Sequence, residues 1–215
     1  MNNGDTRGLL ACRECPRLAG HLAEVRRLHP DYHAKPVLPF GDEAPRLLIV
    51  GLAPGMHGAN RTGRPFTGDH AGVLLYETLH RFGFGSRADA VSPDDGLKLS
   101  GCRITNAVKC LPPQNKPEPA EVRRCNVHLK SELEVLSPRS AILALGAIAH
   151  QAVLMAYGLR RGDFVFAHGA QHALPAGHAL FDSYHCSRYN TQTRRLTPEM
   201  FRHVFERTAE YLRSR

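Results

Sequence analysis

The chain has 215 residues, of which 42% are hydrophobic and 22% charged, a composition that supports a folded core and excludes a disordered or collagen-like chain. No window approaches the roughly 18 to 20 uninterrupted apolar residues of a membrane span, and residues 1–10 lack the basic-then-apolar pattern of a signal peptide. We therefore expect a cytoplasmic protein that does not bind membranes. The net charge of +8 favours a polyanionic partner such as nucleic acid, although a merely basic soluble surface would give the same count.

Strands and helices alternate along the predicted fold. The apolar run at residues 46–52 is typical of a buried strand, because it is short, continuous and ended by Ala53-Pro54-Gly55. The later patterns predict, in chain order, a helix at 73–82, a strand at 103–109, a helix at 118–136, a strand at 140–145, a helix at 146–157, a strand at 179–184 and a final helix capped by Thr197. This alternation predicts one domain over residues 1–215, of the α/β class, with a three-layer α/β/α architecture around a mainly parallel sheet.

Two long connections interrupt this alternation. Residues 53–72 contain five glycines, and residues 111–120 are rich in proline. In open α/β sheets the ligand lies beyond the carboxyl ends of the strands. The glycine-rich connection, Asn106 near the end of the second strand and His185 after the last strand all fall at that edge, which predicts a single site. Phe66 in the same connection offers a flat ring for stacking, or alternatively belongs to the core.

The six cysteines indicate a metal site more than a disulfide framework, because the cytoplasm keeps thiols reduced. Four of them could converge: Cys12, Cys15, Cys110 and Cys125. The first two form a CxxC motif that also suits a redox pair, but no strand precedes it. The spacing accommodates either zinc or an iron–sulfur cluster. We interpret Cys102 and Cys186 as buried structural thiols.

Five short motifs resemble the uracil-DNA glycosylase superfamily, and within it the iron–sulfur enzymes of family 5, or type B. The motifs are GLAPG at 51–55, NRTGR at 60–64, FTGD at 66–69, TNAVKC at 105–110 and HCSRYNT at 185–191. Together with the N-terminal CxxC they span nearly the whole chain. The resemblance implies a glycosylase-like fold and a [4Fe–4S] cluster held by Cys12, Cys15, Cys110 and Cys125.

The same resemblance implies roles for residues of the predicted site. The enzyme would be a monofunctional glycosylase that flips a deaminated base out of DNA and hydrolyses its N-glycosidic bond. Gly51 and Ala53 would line the base pocket with Phe66 and Asn106, the ring stacking on the base and the amide recognising its edge. His185 would stabilise the departing base, and Asp69 would orient the attacking water. Asp69 also suits a second interpretation, as the cap of the following helix.

The resemblance implies that the partner is DNA containing uracil or another deaminated base, such as hypoxanthine or xanthine. Five residues are expected to contact that DNA: Asn60, Arg61, Arg188, Tyr189 and Asn190. We expect a monomer. Two other classes of protein share part of the pattern. A non-catalytic iron–sulfur or zinc protein that binds nucleic acid would share the charge and the cysteines, and a redox enzyme would share the CxxC motif.

Overall fold

The computed structural model describes residues 8–214 and contains a six-stranded sheet in the order β1-β3-β2-β4-β6-β5. β2, β3, β4 and β6 run parallel to one another, and the two outer strands are antiparallel to their neighbours. The strands are β1 Phe40–Gly41, β2 Leu47–Gly51, β3 Cys102–Asn106, β4 Ala141–Leu145, β5 Gln171–Ala173 and β6 Ala179–Ser183. The predicted α/β class with a mainly parallel sheet is confirmed.

Helices cover both faces of the sheet. They are α1 Pro16–Leu28, α2 Ala59–Thr62, α3 His70–Arg81, α4 Pro119–Glu134, α5 Ala147–Ala156, α6 Arg188–Gln192 and α7 Pro198–Arg213. Thr197 caps α7 as predicted, since its side chain accepts a hydrogen bond from the Met200 amide, and Pro198 begins that helix. Within residues 8–214, no helix combines the length and the apolar character that a bilayer span needs.

The central strands are buried on both sides because each faces a different half of the core. In β2, Leu47 and Ile49 pack in the cluster that includes residues of α3 and α7, whereas Leu48 and Val50 pack in the cluster that includes residues of α4 and α5. Every residue of β2 is buried. A strand enclosed in this way has a continuous apolar sequence, which is the pattern that predicted it.

Some predicted boundaries were wrong. The strand predicted at residues 103–109 is β3, which ends at Asn106. The chain leaves the sheet there in a turn that carries Cys110 toward the other cysteines. The sequence patterns did not predict α1 or the short outer strands β1 and β5. β5 forms within residues 168–178, which are rich in glycine and histidine, and its alternating exposed and partly buried residues show only a weak apolar pattern.

The topology brings one set of strand ends together. Because β2, β3, β4 and β6 are parallel, their carboxyl ends lie at the same edge of the sheet. β2 leads into the glycine-rich connection, β3 ends with Asn106, and the chain after β6 continues to His185. This edge is where the candidate site lies.

Candidate active site

A cavity of about 410 Å³ opens at the carboxyl edge of the sheet. It is lined by side chains from all the segments that meet there, including Ala53, Phe66, Asp69, Asn106 and His185. Its volume lies within the range of pockets that bind small organic groups. The four polar or aromatic residues predicted to form one site therefore lie around one opening.

Asn106 presents an unused acceptor to this cavity. The side chain is 3% exposed, and its Oδ1 atom has no hydrogen-bond partner among the described residues. A buried amide oxygen without a partner costs free energy unless a ligand satisfies it. Gly51 lies directly beside it: a Cβ atom there would fall 2.4 Å from Asn106 Oδ1 and 2.7 Å from the Phe66 ring. Only glycine allows the amide and the ring to approach this closely.

Phe66 has a backbone conformation that few non-glycine residues adopt. Its φ is +53°, in the left-handed region, and its side chain is nearly buried. The backbone around it is held in place, because the Tyr76 hydroxyl donates to Pro65 O at 2.7 Å. Strained conformations of this kind are often found at ligand sites. The ring packs in the core cluster, as one of the two interpretations had it, and it also lines the cavity. Stacking of the ring on a ligand stays a prediction.

His185 lies beside Phe66, with ring centroids 5.8 Å apart and 27° between the ring planes. Enclosure by the protein disfavours the charged imidazole and lowers the pKa of His185 to about 4. The ring is therefore neutral at pH 7. Asn190 Nδ2 donates to His185 O at 2.8 Å and fixes the backbone that carries the ring.

The two carboxylate oxygens of Asp69 have different surroundings. Oδ1 accepts a hydrogen bond from the Gly72 amide at 3.0 Å and caps α3. Oδ2 faces the glycine-rich connection, where a Cβ atom at Gly58 would fall only 2.2 Å from it. Burial raises the pKa of Asp69, and the amides of Gly72 and Ala71 oppose that rise. The side chain thus caps the helix with one oxygen while it lines the cavity.

The predicted DNA contacts divide into two groups. Arg61, Arg188 and Tyr189 are exposed, and the Tyr189 side chain is among the most exposed large hydrophobic groups. Asn60 is fully buried and its amide has no hydrogen-bond partner within the described residues, so its contact with DNA stays a prediction. The Asn190 side chain is turned inward to the His185 backbone. Three of the five residues are thus exposed to solvent, and the DNA contacts of all five stay predictions.

The four predicted metal-binding cysteines lie together. Cys12, Cys15, Cys110 and Cys125 line one small cavity beside the buried side chains of Leu9 and Leu18, and none of the four forms a disulfide. Burial and the neighbouring thiols raise the pKa of Cys110 to about 12, and burial raises that of Cys125 to about 11. Such thiols ionise only beside positive charge, which a metal group supplies.

Cationic groups also face these thiols. Arg13 acts on Cys110, Arg124 donates a hydrogen bond to Cys15, and the charge of Lys109 acts on Cys125. The neutral backbone amide of Lys109 also donates to Cys125 Sγ at 3.3 Å. A cluster bound by four thiolates is anionic, so this cationic border fits it. The two other cysteines are fully buried, as predicted.

Three polar residues of the cavity were not predicted from the sequence. Asn115, His70 and Ser187 also line it. Asn115 lies two residues after Pro113 and has a positive φ of +57°. A polar residue in a constrained turn of the Pro-rich connection is the sequence signal that could have found it. Ser187 gave no separate signal in the sequence, and its side chain also caps α6 by accepting a hydrogen bond from the Asn190 amide.

The fold and this site define the class of protein. A family model described as the uracil DNA glycosylase superfamily matches residues 38–209, and the chain belongs to that superfamily. The solved structure of Pedobacter heparinus SMUG2 has a similar fold, with a TM-score of 0.50 and 14% identity over 94% of this chain and 86% of that one.

Two relatives identify the branch of the superfamily. A type-5 uracil-DNA glycosylase from Thermus thermophilus is 49% identical over 91% of each chain. One from Pyrobaculum aerophilum is 42% identical over 94% of this chain and 89% of its own. At these identities and coverages, the chain is a member of the type-5 family, as its motifs indicated.

Proposed function

We propose that the protein is a monofunctional uracil-DNA glycosylase that also removes other deaminated bases, including hypoxanthine and xanthine. Membership of the type-5 family supports the uracil activity. The observation that carries the proposal is the unpartnered Asn106 oxygen in the same cavity as an aromatic ring, a neutral imidazole and a carboxylate. A non-catalytic nucleic-acid-binding protein is not favoured, because it has no use for that combination.

The size and composition of the cavity support base flipping. A base in a stacked duplex cannot reach groups enclosed at the edge of the sheet, so the nucleotide must rotate out of the helix. Phe66 would stack on the extruded base. Asn106 Oδ1 would accept a hydrogen bond from a ring N–H of that base, which gives the buried oxygen the partner it lacks.

This acceptor favours deaminated bases. Deamination converts the ring nitrogen of cytosine or adenine next to the amino group from an acceptor into an N–H donor. The Asn106 oxygen would attract that donor and repel the lone pair of the undamaged base. The segment 52–55 contributes no acidic or amide side chain, which leaves room for a purine as well as for uracil.

His185 and Asp69 would act on opposite sides of the breaking bond. As the C–N bond breaks, negative charge develops on the base and positive charge on the sugar. A neutral His185 can donate a hydrogen bond to the base oxygen without protonating it beforehand. Asp69 Oδ2 would orient the attacking water and offset the charge on the sugar, and its raised pKa makes it a better proton acceptor.

Arg61, Arg188 and Tyr189 would meet the DNA around the mouth of the pocket, since they are exposed and the cavity wall includes Arg188. Arginine contacts with phosphates make affinity for DNA fall steeply with salt. Tyr189 would fill the space left by the flipped nucleotide. A monomer and a cytoplasmic location remain predictions.

We further propose that Cys12, Cys15, Cys110 and Cys125 bind a [4Fe–4S] cluster. When bound, the cluster ties the N-terminal segment to the chain around α4, and hydrolysis of the base requires no electron from it. Cys110 follows Asn106 by four residues. The thiolates would thereby help hold the carboxyl end of β3 in position.

Excision from a uracil-containing duplex tests the proposal. Wild type should release uracil, whereas Asp69→Asn and Asn106→Ala should each lower the single-turnover rate by roughly 100- to 10,000-fold. Asp94→Asn is the matched control, because Asp94 is an exposed acid outside the cavity, and it should keep the wild-type rate. If wild type released no uracil, the proposed glycosylase activity would be refuted. If it released neither hypoxanthine nor xanthine, the proposed wider range of substrate bases would be refuted.

A further inference from the structure

One buried cluster of ionisable side chains lies outside the glycosylase pocket. His150 of α5, His172 of β5 and Asp182 of β6 bring one ligand atom each within 4.8 Å of the others. His150 and Asp182 are almost completely buried, whereas the His172 side chain is 16% exposed, so one edge of the cluster meets solvent. Three separate elements thus direct two imidazoles and one carboxylate to the same point.

The two ring nitrogens of His150 have different hydrogen-bond partners. Its Nδ1 lies 2.8 Å from Asp182 Oδ1, and its Nε2 lies 3.0 Å from Phe164 O. A carbonyl can only accept a hydrogen bond, so Nε2 carries a proton and donates it to Phe164 O. Nδ1 shares one hydrogen with Asp182 Oδ1, and a metal ion could take the place of that hydrogen.

The same geometry suits a metal ion. A histidine that binds metal through one nitrogen usually donates its other N–H to a carbonyl, as His150 does to Phe164. Zinc bonds of about 2.0–2.1 Å in a tetrahedral shell place the ligand atoms about 3.3 Å apart. His172 Nε2 lies 3.3 Å from Asp182 Oδ2, and His150 is 2.8 Å from the carboxylate. The two imidazoles approach different oxygens of Asp182, and the three ligand atoms lie within 4.8 Å of one another, so side-chain movements would be needed to gather them around one ion.

We propose that His150, His172 and Asp182 bind a divalent transition-metal ion, with Zn²⁺ the best match to two imidazoles and one carboxylate. On binding, the Nδ1–H bond of His150 breaks, its proton passes to solvent, and the nitrogen lone pair bonds to the ion. His172 binds through Nε2 with its own proton on Nδ1. A water on the exposed side of His172 completes the shell.

The ion has a structural role. Phe166 lies edge-on to the His150 ring at 5.6 Å, and Phe164 lies edge-on to His172 at 5.8 Å, so the irregular segment 164–170 rests on the two ligands. Asp182 precedes His185 by three residues on the strand that leads into the pocket. Metal binding fastens that strand to α5, β5 and the segment above them.

Cobalt titration of the purified holoprotein tests this site, because Co²⁺ reports its ligands in its spectrum. Wild type should bind one equivalent, with ligand-field bands and without the thiolate-to-cobalt charge transfer that cysteine ligation produces. Zn²⁺ should displace the Co²⁺, and saturating Zn²⁺ should raise the melting temperature by roughly 5 °C.

Two histidine variants locate the ion. His172→Gln should weaken Co²⁺ binding at least ~100-fold, since even loss of an outer contact costs 10- to 100-fold. His168→Gln is the matched control: His168 lies on the neighbouring segment and contacts the Tyr184 amide, so affinity should be unchanged. The proposal is overturned if wild type binds no ion, if binding survives His172→Gln, or if the spectrum shows thiolate ligation.

Discussion

Substitution of Gly58 should impair catalysis without removing any catalytic group. A Cβ atom at this position would fall 2.2 Å from Asp69 Oδ2 and 2.7 Å from the Asp69 Cβ and Cγ atoms. Side-chain contacts this short do not persist, so in Gly58→Ala the carboxylate must move by roughly 1 Å. A displacement of about 1 Å in a catalytic geometry costs on the order of 100-fold in rate. We expect a loss of that size.

Single-turnover excision from a uracil duplex at saturating enzyme measures this loss, because the rate then reports chemistry and not DNA binding. Thermal melting must accompany it, since movement of Asp69 also weakens the α3 cap, by about 1 kcal/mol. Asp69→Asn separates the two effects. The amide can still cap the helix but cannot act on water as a carboxylate does, so this variant should lose rate and keep its stability.

Two further glycines calibrate the result. A Cβ atom at Gly55 would lie 3.4 Å from Asp69 Oδ2, an ordinary contact, so Gly55→Ala should lose less rate than Gly58→Ala. Gly20 in α1 has no atom within 4 Å of such a Cβ, and Gly20→Ala should keep the wild-type rate and gain up to about 1 kcal/mol of stability. A Gly58→Ala enzyme with wild-type rate, or equal losses at Gly55 and Gly58, would refute the argument.

Three other predictions concern charge and metal. The free energy of unfolding should fall as the pH drops from about 6.5 to about 4. His185 has a pKa of about 4 in the folded protein, so in this pH range it stays neutral when folded and takes up a proton when unfolded. Urea denaturation should show a smaller fall for His185→Gln. In the wild type, the buried Lys109 ammonium pairs with Glu132 at 2.7 Å, and Glu132→Gln removes that counter-charge. The variant should lose about 3–5 kcal/mol of unfolding free energy in the same urea experiment, and a loss under 1 kcal/mol would contradict this. Cys110→Ser should abolish the visible absorbance of the proposed iron–sulfur cluster and lower the iron content, whereas Cys102→Ser should keep both. Retention of the cluster by Cys110→Ser would exclude the proposed ligand set.

The elements with strong apolar periodicity could be predicted from the sequence. The face of α7 was correct because Phe201, Val204 and Phe205 recur at helical spacing and all are buried. β5 could not be predicted in the same way. It is a three-residue outer strand formed where the chain meets β6, and its residues have no apolar pattern of their own.

The candidate site was only partly predictable for a similar reason. Phe66, Asp69, Asn106 and His185 were placed at one edge because parallel strands align their carboxyl ends. Asn60 shows the limit of that approach. It lies in the same motif as the exposed Arg61, yet it is fully buried, because neighbouring residues on a helix face in different directions.

The class of fold, the family and the residue types of the site could be predicted from periodicity and motif spacing, because both are local properties of the chain. How those residues act depends on the packed structure. The pKa of His185, the two roles of Asp69 and the convergence of His150, His172 and Asp182 all depend on burial and on distances between segments far apart in the chain. Those quantities exist only after the chain has packed.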